Sequence, residues 1–299
     1  MSFLELTPKI NDFLIILLSI LVEGIPFILI GAIVSGFVEI WLSKKDILKI
    51  LPKNKFLQFL SMGLLGNVLP VCECGNVPLA RRMILKKVPH HLAITFLLSA
   101  PVLNPIVILA TIAAFSNDLS ILFYRILFTL IIAISLGYIF SFISKEKVLN
   151  EKLNESPDDH HHTHQSSKLD TVLKITKKEF IEMTAVFLIG ATVATSVQTF
   201  FPKSFILSFN ETQWLSIIAM MVLAFTISIC SNVDAFFALA YAQIFPASSI
   251  LAFLVLGPMI DIKAIPMFKT IFTWKAVYAI TAYVFLSTFL LTYIYYLLT

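Results

Sequence analysis

The feature that most constrains this chain is the length of its uncharged runs. Leu92 to Phe115 and Ala276 to Leu298 carry no charged residue, and Leu119 to Ile143 carries only Arg125. Each is long enough to supply the roughly 20 apolar residues that a helix needs to cross a hydrocarbon core. Phe13 to Val38 is too long for a signal peptide and lacks a small-residue cleavage site, so it reads as a retained span. Over all 299 residues, 58% are hydrophobic and 13% charged, against roughly 45–50% and about 25% in soluble domains. No water-soluble surface can be built from that stock. The expected fold class is an all-α polytopic membrane protein in the lipid bilayer of the inner (cytoplasmic) membrane.

The net charge of +4 gives no indication of nucleic-acid binding, because the basic residues lie in a few inter-helix segments. These are Lys44, Lys45, Lys49, Lys53 and Lys55; Arg81, Arg82, Lys86 and Lys87; the loop from Ser144 to Lys178; and Lys263, Lys269 and Lys275. By the positive-inside rule all four belong in the cytoplasm. The linkers near Asn117 to Asp118, Lys203 to Gln213 and Gln243 to Ser249 are then expected to face outward.

This assignment puts both ends of the segment from Phe56 to Lys87 on one side, so the chain must enter and return. The expected turn is at Cys72-Glu73-Cys74-Gly75-Asn76, giving a re-entrant hairpin. Trp214 to Phe245 follows the same logic, with its break at Cys230-Ser231-Asn232. Irregular backbone at membrane depth is tolerated only where it is buried in protein or lines a wet cavity.

The two breaks resemble each other. Cys74-Gly75-Asn76-Val77 matches Cys230-Ser231-Asn232-Val233 about 156 positions later. Phe96-Leu97 with Ala100-Pro101-Val102-Leu103-Asn104 matches Phe253-Leu254 with Gly257-Pro258-Met259-Ile260-Asp261, and Glu23 with Gly31-Ala32 matches Glu182 with Gly190-Ala191. The order and spacing predict two internally repeated halves, residues 1–144 and 179–299, joined by a cytoplasmic, disordered His-containing linker over 145–178. Each half holds three spans and one broken or re-entrant pair, an odd number of crossings, so the expected topology is inverted, as in many secondary transporters.

Charged groups cost about 2.5–3.5 kcal/mol at a span centre, so Glu73, Asp234 and Asp261 are expected to face the interior. Pro78, Pro101, Pro105 and Pro258 each remove a backbone donor and leave half-helix ends. Lys263 is either the ion-pair partner of Asp261 or a snorkelling lysine at a helix end. Arg125, near the start of its span, reads as an interfacial anchor. Glu23 and Glu182, inside apolar helices, are candidates for proton coupling, and Glu182 is alternatively a headgroup contact.

There are three cysteines, Cys72, Cys74 and Cys230. The repeat sets Cys74 opposite Cys230 as a candidate soft-metal pair, and all three could converge on one site, against the alternative that they are small packing residues. The tract Asp158 to His164 offers His160, His161, His162 and His164 as further metal candidates, or is simply a solvated linker. His90 and His91 read as interfacial.

The run Pro70 to Arg81, with Ser99-Ala-Pro-Val-Leu-Asn-Pro105, Cys230-Ser-Asn-Val-Asp-Ala235 and Gly257-Pro-Met-Ile-Asp-Ile-Lys263, resembles the predicted-permease family that includes the organoarsenical efflux permeases. The resemblance implies a multi-span permease, with some relatives exporting trivalent organoarsenicals or soft divalent metals. Many members have Cys-Ser-Cys where this chain has Cys72-Glu73-Cys74. It looks closer to a branch of permeases often encoded beside a second membrane protein.

The expectation is therefore a permease moving a small solute by alternating access, with Zn, Cu or a trivalent arsenical as candidates and no cofactor. The expected path comprises Cys72, Glu73, Cys74, Asn76, Pro101, Asn104, Cys230, Asn232, Asp234, Pro258, Asp261 and Lys263. The alternatives are an intramembrane thiol oxidoreductase using Cys72 and Cys74, or a membrane scaffold subunit of a two-component system. No Gly-x-x-x-x-Gly-Lys loop is present, so energy comes from a gradient or a partner.

Overall fold

The computed structural model describes residues 3–41, 52, 54–67, 72–151, 168–200 and 212–298. Lys44, Lys45, Lys49, Lys53, Pro70, the four histidines of the 158–164 tract and nearly all of the linker beginning at Lys203 lie outside the described residues. Regular structure among the described residues is all helix, with one isolated bridge between Leu149 and Phe272. In lipid this is the economical solution, because a helix satisfies every backbone donor and acceptor within its own segment.

The first half runs α1 (Phe3–Trp41), α2 (Lys55–Leu64) with a 3-10 turn at Leu65–Asn67, α3 (Glu73–Leu85), α4 (His90–Leu103), α5 (Pro105–Ala114) and α6 (Ser120–Phe140). A short α7 (Lys145–Val148) follows. The second half runs α8 (Lys168–Phe200), α9 (Gln213–Ile227), α10 (Asp234–Tyr241), α11 (Ala247–Met259), α12 (Ala264–Lys269) and α13 (Trp274–Leu298). Among the described residues, six segments are long and apolar enough to cross a membrane: Lys9–Ile40, His90–Ala114, Ser120–Phe140, Val172–Thr199, Ala247–Lys269 and Trp274–Leu298. The protein is a polytopic, all-α membrane protein.

Each half also holds two helices too short to cross. α2 and α3 have 10 and 13 residues, and α9 and α10 have 15 and 8. At 1.5 Å per residue none exceeds about 23 Å, short of the roughly 30 Å core. In the first pair, Glu73 to Asn76 are already helical, so a helix starts at Cys72 where the sequence places a break over Cys72 to Asn76. The Cys72 carbonyl accepts the N–H groups of Gly75 and Asn76, both at 3.1 Å, and so opens the helix. The second break lies where the sequence puts it. α9 ends at Ser228 in a left-handed conformation (φ 51°, ψ 43°), and the Cys230 carbonyl opens α10 by accepting from Val233 at 3.1 Å and Asp234 at 3.2 Å.

The spans at 90–114 and 247–269 are also interrupted. Pro101 and Pro258 sit in the last turns of α4 and α11, and both interruptions are capped by the next polar side chain. Asn104 Oδ1 accepts the Ile106 N–H at 2.9 Å, and Asp261 Oδ1 accepts the Ala264 N–H at 2.7 Å. Pro105 stands at the first position of α5, where a helix needs no donor, so it starts that helix rather than breaking one.

α4 and α11 form the enclosed centre, in contact with each other across the two halves; Phe96 and Phe253 are fully buried there. α1 lies along α8 and α3. The approach of α1 to α3 is set by Gly31, since a Cβ there would lie 2.3 Å from the Gly75 carbonyl oxygen. Gly190 of α8 likewise lets the Lys263 backbone approach, since a Cβ there would lie 2.6 Å from the Lys263 carbonyl oxygen. The short helices cross between the first and second parts of the chain: α3 packs on α12, and α10 packs on α5. The segment after α6 is tied to the α12–α13 link, with the Thr273 N–H donating to the Val148 carbonyl at 2.8 Å.

Where α1 ends, an ionic cluster closes the bundle. Arg81 pairs with Glu182 at 2.9 Å, Lys86 with Glu39 at 2.9 Å, and Arg82 with both Glu39 at 3.1 Å and Glu179. Three basic residues that mark this end in the sequence are thus balanced by three acids from α1 and α8.

Candidate functional site

Two sets of charged side chains are buried between the halves, and they differ in charge balance. In the first, Arg125 of α6 is fully buried and donates to Asp234 at 2.5 Å and to Thr111 of α5 at 2.8 Å. Arg125 is therefore not an interfacial anchor. A lone guanidinium inside a span must find an acid, and Asp234, in the first turn of α10, supplies it. One base meets one acid, and the set is neutral by formal count.

The second set lies between the start of α3, the α9–α10 break and the α11–α12 break. Lys263, 3% exposed, places its ammonium 3.0 Å from Glu73 and 3.1 Å from Asp261, and donates to the Ser228 carbonyl at 2.6 Å. The left-handed turn at Ser228, costly for a residue other than glycine, ends α9 where its carbonyl meets this ammonium. Lys263 is neither a snorkelling lysine nor the partner of Asp261 alone. It joins an acid of its own half to an acid of the other. Ser231 also reaches Glu73, at 3.4 Å.

The thiols lie on the same feature. Cys72 and Cys230 bring their sulfur atoms within 4.8 Å of each other, and Cys74 and Glu23 of α1 line the same cavity beside them. The candidate ligand atoms of Cys72, Glu73 and Cys230 all lie within 4.8 Å of one another, and all three residues are buried. Glu23, Cys74 and Lys263 join them around an internal cavity of about 10 Å³, with Ile20, Gly24 and Phe187 completing the wall. That is room for about one water molecule. With Asp261 alongside, three carboxyl groups (Glu23, Glu73, Asp261) surround one ammonium, which pairs with Glu73 and Asp261.

The structure thus brings Cys72, Glu73, Cys74, Cys230, Asp261, Lys263 and Glu23 together. It separates Glu182, which pairs with Arg81 and does not line the cavity. Asn76 is buried in the first turn of α3, while Asn232 is half-buried with its Oδ1 unpartnered among the described residues. Asp234 belongs to the Arg125 set. Asn104, Pro101 and Pro258 shape and cap the interrupted spans. The thiol next to Cys230 at the cluster is Cys72 rather than the expected Cys74. The backbone pattern accounts for this, because Cys72 and Cys230 hold the same carbonyl role at the start of their short helices. The Glu73–Lys263 and Arg82–Glu179 pairs were not visible from sequence spacing. The available signal was that each charge at span depth requires a partner.

The chain is similar to curated proteins across nearly its whole length. It is 39% identical over 288 residues to UPF0718 protein YcgR of Bacillus subtilis (strain 168), covering 95% of this chain and 94% of that one. It is 38% identical over 274 residues, 91% of each chain, to a Streptococcus mutans protein named as a subunit of a proposed two-component membrane permease complex. No solved structure matches. The family model described as a predicted permease matches residues 9–297, which span every helix that carries the buried cluster, and the chain belongs to that family of membrane permeases.

Proposed function

We propose that this permease carries a soft or borderline metal cation by alternating access, with Cys72, Glu73 and Cys230 as the cargo ligands. The observation that carries the reading is the composition of the second buried set. Two sulfur donors and one carboxylate lie within 4.8 Å of one another, a set that suits ions such as Zn(II) or Cu(I) better than hard cations. By formal count the surrounding carboxyl groups exceed the single ammonium, whereas the Arg125–Asp234 set is balanced. An excess of buried negative charge favours a cation. Trivalent arsenicals, also thiol-seeking, gain nothing from the carboxylates and rank second.

The inverted-repeat reading is supported by the order of elements in each half: a long helix, a short pair, an interrupted span and a span. Cys72 and Cys230, and likewise Asn104 and Asp261, hold matching backbone or capping positions. Two such halves rocking about the cluster would expose it to each side in turn. Glu23, which lines the cavity beside Cys230, is the better placed of the two candidates for proton coupling, because Glu182 is paired with Arg81 away from it. The inner membrane is the proposed location. The name of the S. mutans relative supports a second membrane protein as partner.

The test is flux into proteoliposomes across Zn(II), Cu(I), Co(II) and a trivalent arsenical. Flux of one or more metal ions is expected, with the arsenical weaker. Movement of the arsenical alone would overturn the cation assignment, and no flux of any solute together with thiol-exchange activity would favour the oxidoreductase alternative.

A further inference from the structure

We infer that Lys263 is a tethered stand-in for the cargo: its ammonium occupies the cation position in the empty carrier and yields Glu73 when a metal ion arrives. The inference rests on the cation-permease reading and deepens it. Its basis is the division of Lys263's three partners between the halves. Ser228 and Asp261 belong to the second half, as Lys263 does, and only Glu73 belongs to the first. An ion bound by Cys72, Glu73 and Cys230 would take its carboxylate oxygen at about 2.0–2.2 Å. The Glu73 carboxylate now faces the ammonium at 3.0 Å, and the cavity of about 10 Å³ cannot hold both cations apart. On loading, the ammonium releases Glu73 and keeps Asp261 and Ser228, so the link between halves passes from the lysine to the cargo.

The groups that face Lys263 are Glu23 from α1, Cys72, Glu73 and Cys74 from the start of α3, Cys230 from the α9–α10 break, and Asp261 beside it. All are acidic or thiol. Without the ammonium, the empty site would hold only like charges at membrane depth, and turning it across the bilayer would be costly. Lys263 therefore serves the return of the empty carrier, not the passage of the loaded one.

This separates two transport modes. Net uptake needs the empty carrier to return, whereas exchange of cargo across the membrane uses loaded carriers only. In proteoliposomes, Lys263→Gln is expected to lower net Zn(II) uptake by on the order of tenfold or more. It should leave exchange of isotopically labelled for unlabelled Zn(II) near wild type and bind Zn(II) more tightly in calorimetry. Lys263→Arg, which retains a cation, should keep more net uptake than Lys263→Gln. If Lys263→Gln does not fold, Lys263→Met provides the same comparison. Equal loss of exchange and net uptake in a folded variant, or weakened Zn(II) binding, would overturn the inference while leaving the permease reading intact. Wild-type protein showing neither uptake nor exchange of Zn(II), Cu(I) or Co(II) would remove the cation reading and this inference with it.

Discussion

Cys72 and Cys230 meet thiol to thiol although 157 residues separate them in the chain. They join the first turn of α3 to the α9–α10 break, and so join the two halves.

That contact predicts a cross-link. A mild oxidant that takes two electrons and two protons from the pair should form a Cys72–Cys230 disulfide. With a protease site inserted between residues 152 and 167, the cut halves should stay together on a non-reducing gel and separate with reductant. The bond should survive Cys74→Ser and be lost in Cys72→Ser. The opposite dependence would mean that Cys74 faces Cys230, as the sequence match alone suggests.

The neutral pair of Arg125 and Asp234 is expected to support stability rather than transport selectivity. Removing one member leaves an uncompensated buried charge, which typically costs about 3–5 kcal/mol. Arg125→Ala should therefore lower the unfolding midpoint in detergent sharply. Arg125→Met combined with Asp234→Leu should recover much of the loss. A double variant no more stable than Arg125→Ala would show that the pair contributes more than mutual compensation.

Gly31 and Gly257 make a matched test of helix approach. A Cβ at Gly31 would sit 2.3 Å from the Gly75 backbone oxygen, while at Gly257 its nearest neighbour is the Ala224 Cβ at 3.7 Å. Gly31→Ala is expected to destabilise by about 1–3 kcal/mol, the range for overpacking, and to displace α3 with the Glu73 it carries. Gly257→Ala should be near neutral in both stability and flux. Equal effects would contradict the close α1–α3 crossing.

Inverted halves predict opposite sidedness for corresponding linkers. Lys87, after α3, and Gln243, after α10, are both exposed, and the native thiols are buried and free. An impermeant thiol reagent should label Lys87→Cys and Gln243→Cys from opposite faces of the membrane. Labelling of both from one face would rule out the inverted arrangement.

The reach of sequence reading here follows from which forces act locally. Uncharged runs of span length specify helices directly, and the capping roles of Asn104 and Asp261 follow from a polar residue placed just after a proline-containing turn. Long-range partnerships are another matter. The need of Arg125 and Lys263 for acids is written in their depth, but which acid each meets depends on how α3 crosses to α12 and α10 to α5. The exchange of Cys74 for Cys72 has the same origin: a residue-by-residue match does not show which carbonyl opens a helix, and that choice shifts the facing thiol by two positions.

Passage of a cation at Cys72, Glu73 and Cys230 is tested by Zn(II) flux into proteoliposomes holding wild-type protein, Glu73→Gln, or Cys72→Ser combined with Cys230→Ser. Saturable flux is expected in wild type, little or none in Glu73→Gln, and a strong loss in the double cysteine variant, with all three proteins folded. Wild-type flux that persists undiminished in both variants would contradict it.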